Sequence, residues 1–145
     1  MDPAYDFEKL AREIVINRLA ALGDKAAEAA GEEVRKILVP ALKGTKQDPK
    51  VTVAAVCRGV MGGLLLLNQD VAKAAAEVLG GLAHVAQEAP VSPEDLMTWA
   101  MDGMADVALL AGPEAMHAME SSIEERFMGA GSVFQQACQA KKGAA

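Results

Sequence analysis

Asp48-Pro49-Lys50-Val51-Thr52-Val53-Ala54-Ala55-Val56-Cys57-Arg58-Gly59-Val60-Met61-Gly62-Gly63-Leu64-Leu65-Leu66-Leu67 is the stretch that decides the fold. Asp48 offers an N-cap and Pro49 the fixed φ of a first helical position, so a helix is predicted from here to about Leu67. Apart from Arg58 it is apolar nearly all round, the pattern of a helix surrounded by other helices. One side carries only small residues, Thr52, Ala55, Gly59, Gly62 and Gly63, while Val53, Val56, Cys57, Val60, Met61 and Leu64 occupy the other. Each glycine inside a helix costs roughly 1 kcal/mol relative to alanine, so a close backbone approach is expected along the small side. Val51 to Leu67 also sits at the lower length limit for a membrane span. The arginine near its middle and the amphipathic segments around it favour a buried core helix.

Helices are predicted on both sides of this centre. Upstream, a first helix starts at Pro3 or Asp6 and stops at Gly23, with Phe7, Leu10, Ala11, Ile14, Val15, Ala21 and Leu22 on one face and Arg18 inside that apolar arc. A second follows Asp24 as N-cap, turns Ala26, Ala30, Val34, Ile37, Leu38 and Ala41 inward, pairs Glu32 with Lys36, and is kinked or ended by Pro40. Downstream, Asn68-Gln69-Asp70 restarts the chain as a fourth helix to about Glu88, burying Val71, Ala75, Val78, Leu79, Leu82 and Ala86. Ser92-Pro93-Glu94-Asp95 joins an N-cap serine, an N1 proline and two first-turn acids, and opens a fifth helix to about Ala111. Gly112-Pro113 opens a sixth to about Met128. Gly129-Ala130-Gly131 breaks it, and Ser132 is placed as the cap of a last short helix to about Ala140. No alternating β-branched run of strand length occurs.

The predicted architecture is therefore all-α: one domain over residues 1–145, a bundle of six or seven helices built from antiparallel hairpins, with residues 141–145 as a tail expected to fray. A chain of 145 residues matches one shared core. Its 29 alanines, 14 leucines and 3% aromatic content are a helical composition. The caps at Asp48-Pro49 and Ser92-Pro93 lie 44 residues apart, and Gly59 matches Gly103 at the same offset. That period supports an alternative architecture, a short HEAT-like stack of three hairpins, although few other positions match.

Charge and cysteine usage exclude several classes of function. A formal net charge of −6 removes the broad basic surface that nucleic-acid binding needs and disfavours an anionic membrane face. Two cysteines, Cys57 and Cys138, are too few and too far apart for a disulfide framework or a cysteine-based zinc site, which points to a reducing, cytoplasmic setting. The acidic start Met1-Asp2-Pro3-Ala4-Tyr5-Asp6 lacks the pattern of a signal peptide.

The motifs that would carry chemistry are incomplete. Glu114-Ala115-Met116-His117 has one Glu-x-x-His unit, but His117 falls on a polar face with Glu120 and Glu124, whereas carboxylate-bridged metal sites need several inward ligands. His84 lies on an outward stripe with Lys73, Glu77 and Glu88, and the residues after it lack the Lys-Gly of a phosphotransfer helix. Cys57 has no inward histidine to activate it and Cys138 is near the chain end. The acid pairs Glu124-Glu125 and Asp102 with Asp106 sit on outward stripes. Gly59-Val60-Met61-Gly62-Gly63 lies inside a helix and lacks the residues of a phosphate loop. No catalytic residue, metal site or cofactor is predicted, and the balance leans away from an enzyme.

Three candidate features remain. The small-residue stripe Thr52, Ala55, Gly59, Gly62 and Gly63 would admit another helix, from this chain or a second copy. Met97, Met101, Met104, Met116 and Met119 project inward from adjacent helices, as a core, a re-packable groove or an apolar ligand pocket. Arg18 and Arg58 sit among apolar neighbours and call for carboxylate partners or a bound anion. The expected function is a non-enzymatic helical module that self-associates or docks a helical protein partner. The alternative is a small-molecule binder with a methionine-lined pocket.

Overall fold

The computed structural model describes residues 6–44 and 46–144. Its α-helices span Phe7–Leu19 (α1), Ala30–Gly44 (α2), Pro49–Leu66 (α3), Val71–Glu88 (α4), Pro93–Ala111 (α5), Pro113–Arg126 (α6) and Ala130–Ala144 (α7), with 3-10 turns at Ala20–Lys25 and Ala27–Ala29. No strand occurs among the described residues, and the fold is an all-α bundle. The possible start at Pro3, Thr45 of the second connection and Ala145 lie outside the described residues.

Local chemistry sets the helix starts. Asp6 accepts from the Lys9 amide at 2.9 Å, Asp48 from Lys50 at 2.9 Å, Asp70 from Lys73 at 3.0 Å and Ser92 from Asp95 at 3.1 Å. Each bond satisfies an amide that the first helical turn cannot. The end of α3 closes as a Schellman turn: Gln69 N–H donates to the Leu64 carbonyl at 2.9 Å and Asn68 N–H to Leu65 at 3.0 Å, with Asn68 at φ 60°.

Packing follows a simple rule in which each helix lies chiefly against the helix two further along. One layer runs α1, α3, α5, α7 and the other α2, α4, α6. Within a layer the helices are parallel. Gly59 meets Ala11 and Gly63 meets Val15, so α1 and α3 advance together, as do α2 and α4 where Gly31 meets Gly81 and Arg35 reaches Glu88. The helical hairpins are thus stacked side by side. Between the layers lies one core, with Val53, Val56, Val60, Met61 and Leu64 of α3, Leu38 of α2, and Leu79 and Leu82 of α4 all within 2% of full burial. Each such side chain contributes about 1.5–3 kcal/mol on leaving water. By length and composition α3 could cross a membrane, yet most of it is buried within the fold.

Several local expectations are corrected. The α-helical geometry of α1 ends at Leu19, and the following 3-10 turn, with Gly23 at φ 56°, swings Ala21 and Leu22 out to solvent while Leu19 is buried. Asp24 therefore opens no α-helix directly; α2 begins at Ala30. Pro40 neither ends nor interrupts α2, which continues to Gly44. Its ring is exposed, so the carbonyl it frees can be hydrated. Glu32 pairs with Arg35 at 2.6 Å in place of Lys36. The last turn of α6 closes at Arg126, two residues early. Ser132 does not cap α7; its hydroxyl donates to the Gly129 carbonyl at 3.0 Å, and Glu124 takes the amides of Gly129 and Gly131 at the start of that helix.

Candidate interaction surface

The polar groups that reach into the fold are tied to one another. Arg58 sits at the middle of α3; its Nε donates to Oδ2 of Asp106 on α5 at 2.7 Å and its Nη1 to Oε1 of Glu8 on α1 at 3.0 Å. Burial alone would lower its pKa, but these hydrogen bonds outweigh it and hold the guanidinium charged. The chain of charges extends in both directions: Arg12 lies 3.6 Å from Glu8, and Lys141 of α7 lies 3.4 Å from Asp106 and 3.3 Å from Asp102. Six alternating charges therefore cross all four helices of one layer. In the other layer Lys73 holds Glu28 at 2.6 Å, Arg35 holds Glu88 at 3.1 Å and Arg126 holds Glu77 at 2.9 Å.

Arg18 is exposed in the last turn of α1, where Ala11, Val15 and Leu19 form the buried side, and so lies outside the apolar arc assigned to it. Its Nη1 lies 3.7 Å from Oε2 of the buried Glu33, an oxygen that accepts no hydrogen bond. Both arginines thus have carboxylate partners in this chain.

The small-residue stripe divides. Gly59 and Gly63 face α1: a Cβ on Gly59 would fall 2.8 Å from the Ala11 Cβ and against the Glu8 carbonyl, and one on Gly63 would fall 2.9 Å from Val15. Their close approach is used within the chain, so a helix of a second copy has no room there. Thr52 is buried, with its hydroxyl donating to the Asp48 carbonyl at 3.2 Å. Ala55 and Gly62 lie on the partly exposed outer side of α3, and nothing stands within 4 Å of a Cβ at Gly62.

The five methionines divide between core and margin. Met101, Met104 and Met119 are core residues with 1% exposure or less, and Met97 and Met116 are half-buried at its margin. A cleft of about 230 Å³ between α6 and α7 reaches Met116 alone of the five, and another of about 330 Å³ between α5 and α7 reaches only Met101.

The first of these clefts brings together residues that the sequence left apart: His117, Glu120 and Cys138, with Lys142 at the rim. Burial, and then the Glu120 carboxylate, push the Cys138 thiol up, so it is protonated at neutral pH and a poor nucleophile. The His117, Glu120 and Cys138 side chains are not placed to hold a metal ion together, and no other such group occurs among the described residues. Cys57 is fully buried and burial pushes its thiol up to about 12.

The exposed large apolar side chains were missed at the level of sequence. Leu22, Leu66 and Leu110 are 43%, 68% and 80% exposed, and each stands at the C-terminal end of its helix run in the first layer. Those ends share one edge because α1, α3 and α5 are parallel. A signal was present: Leu66, Asn68 and Asp70 recur as Leu110, Gly112 and Glu114, at the same 44-residue offset as the helix caps.

Taken together, these features define the class: a two-layer stack of helical hairpins, with internally paired charges and apolar side chains along its edge. Comparison with protein-family models, curated proteins and solved structures finds no match.

Proposed function

We propose that this chain is a non-enzymatic helical interaction module, whose task is to hold a rigid surface toward another polypeptide. The observation that supports this reading is the layered stack itself. Parallel helices locked by close backbone contacts and by a continuous charge ladder bring the C-terminal turns of α1, α3 and α5 to one end of the layer, each stepped by a few residues from the last, and stacked hairpins of this kind bind along extended surfaces. The ionisable groups inside the fold are committed to neighbouring helices, and the titratable groups of the α6–α7 cleft lack an activated nucleophile. Met101, Met104 and Met119 fill the core, which weighs against the alternative of an apolar ligand pocket.

Selection of displayed helical peptides against the immobilised chain, run beside a thermal-shift screen of small apolar compounds, tests the proposal. Enrichment of one peptide pattern with saturable binding supports it. Saturable stabilisation by a small compound without any enriched peptide overturns it in favour of the pocket.

A further inference from the structure

We infer that the edge carrying Leu22, Leu66 and Leu110 is the docking surface, and that its occupant is a basic amphipathic helix of a partner protein. This rests on the interaction-module reading and names the surface and the partner chemistry.

The three turns that form the edge share a sequence order, although the first is a 3-10 turn and the second a Schellman turn. Each leucine is followed within two residues by one with positive φ, Gly23 at 56°, Asn68 at 60° and Gly112 at 107°, and then by an exposed acid, Asp24, Asp70 or Glu114. A positive φ ends the helix and reverses the chain. It also leaves the preceding leucine projecting beyond the last packed turn. The three leucines belong to adjacent runs of one layer; packed helices stand about 8–10 Å apart, and the pairings of Ala11 with Gly59 and of Ala54 with Gly103 step successive leucines by about four to five residues along the helix axis, so the row runs obliquely over about 20–25 Å. Apolar residues seven apart on a helix are about 10.5 Å apart. A helix laid across the edge therefore meets the three leucines with three successive apolar residues.

The charge of the edge selects the partner. Asp24, Asp70 and Glu114 alternate with the leucines, and neither α3 nor α5 has a basic residue in its last turn to offset the helix C-terminus. Of the bases in these turns, Lys73 is held by Glu28 at 2.6 Å and Arg18, in the last turn of α1, lies 3.7 Å from Glu33, leaving Lys25 against the three acids. Apolar residues at heptad spacing flanked by lysine or arginine fit this surface, whereas an acidic helix is repelled.

The test uses the full chain and a synthetic Leu/Lys peptide of about 18 residues with leucine at helical spacing, about 27 Å long when folded. A peptide with glutamate in place of each lysine is the control. Binding is read by titration calorimetry, and folding by the thermal midpoint. The lysine peptide is expected to bind saturably and the glutamate peptide not at all. Leu66→Ser with Leu110→Ser should weaken binding at least tenfold with an unchanged midpoint; if the pair lowers the midpoint, the more exposed Leu110→Ser alone is used. Asp24→Asn, Asp70→Asn and Glu114→Gln together keep the cap at Asp70 and should weaken binding severalfold, with a shallower salt dependence. Parental affinity in the leucine variants, with loss in Val51→Ser and Val133→Ser at the opposite end of the layer, overturns this edge and leaves the interaction module standing. Failure of both the lysine peptide and the displayed library overturns both.

Discussion

Arg58 and Asp106 fasten α3 to α5, with Nε donating to Oδ2 at 2.7 Å, and the same guanidinium reaches back to Glu8 of α1. Both side chains are about 30% exposed, so the pair is stronger than a surface bridge and only partly desolvated. Arg58→Ala leaves Glu8 to Arg12 and Asp106 to Lys141 at longer range, 3.6 and 3.4 Å, and should lower stability by about 1–2 kcal/mol. Arg58→Met, which keeps the packing of the stem, should lose less. Urea unfolding of both variants measures the difference, and a neutral Arg58→Ala would contradict the ladder.

Two glycines three residues apart on α3, Gly59 and Gly62, should respond with opposite signs. Gly59→Ala drives a methyl into the Ala11 side chain and the Glu8 carbonyl, and should cost about 1–3 kcal/mol. Gly62→Ala meets open space in a helix interior and should gain about 0.5–1 kcal/mol through lower unfolded-state entropy. Thermal midpoints of the two variants decide the matter.

The Cys57 thiol gives the fold a pH dependence on the alkaline side. Burial raises its pKa from 9.0 to about 12, so the folded chain keeps a proton that the unfolded chain gives up. Its contribution is therefore fully present below pH 9 and declines by about 1.4 kcal/mol per pH unit as pH rises toward 12. Denaturation across this range should show a shallower decline for Cys57→Ala than for the parent. At neutral pH, thiol reagents should label Cys57 only at the rate of unfolding.

Phe134, fully buried, holds α7 to the stack. Phe134→Ala should cost about 3–5 kcal/mol locally. In a stack each helix depends on its neighbours, so the loss falls on the terminal helix. Hydrogen exchange should accelerate in α7 while α3 stays protected; uniform acceleration would mean that the chain unfolds as one unit.

Much of this fold was legible because its signals are local. Asp48, Asp70 and Ser92 act within three residues of themselves, and the inward residues of α2, Ala30, Val34, Ile37, Leu38 and Ala41, follow from spacing alone. The layering was not legible, since it depends on which helices meet. In an alanine- and leucine-rich chain the 44-residue period is carried by few side chains, chiefly Gly59 with Gly103 and the leucine turns. Ala21 and Leu22 were misplaced by extending straight helical geometry past Leu19, where the backbone tightens into a 3-10 turn. The leucine edge escaped for the same reason: Leu66 and Leu110 stand where helical periodicity stops, and a projection cannot distinguish a buried end from an exposed one.

The most direct test of the interaction-module account is methyl NMR of the leucine- and methionine-labelled chain, titrated with the Leu/Lys peptide and then with small apolar compounds. The account predicts that the peptide shifts the methyls of Leu22, Leu66 and Leu110, while those of Met101, Met104 and Met119 stay fixed under either titration. Movement of the three methionine methyls with a small compound, beside a silent leucine edge, would contradict it.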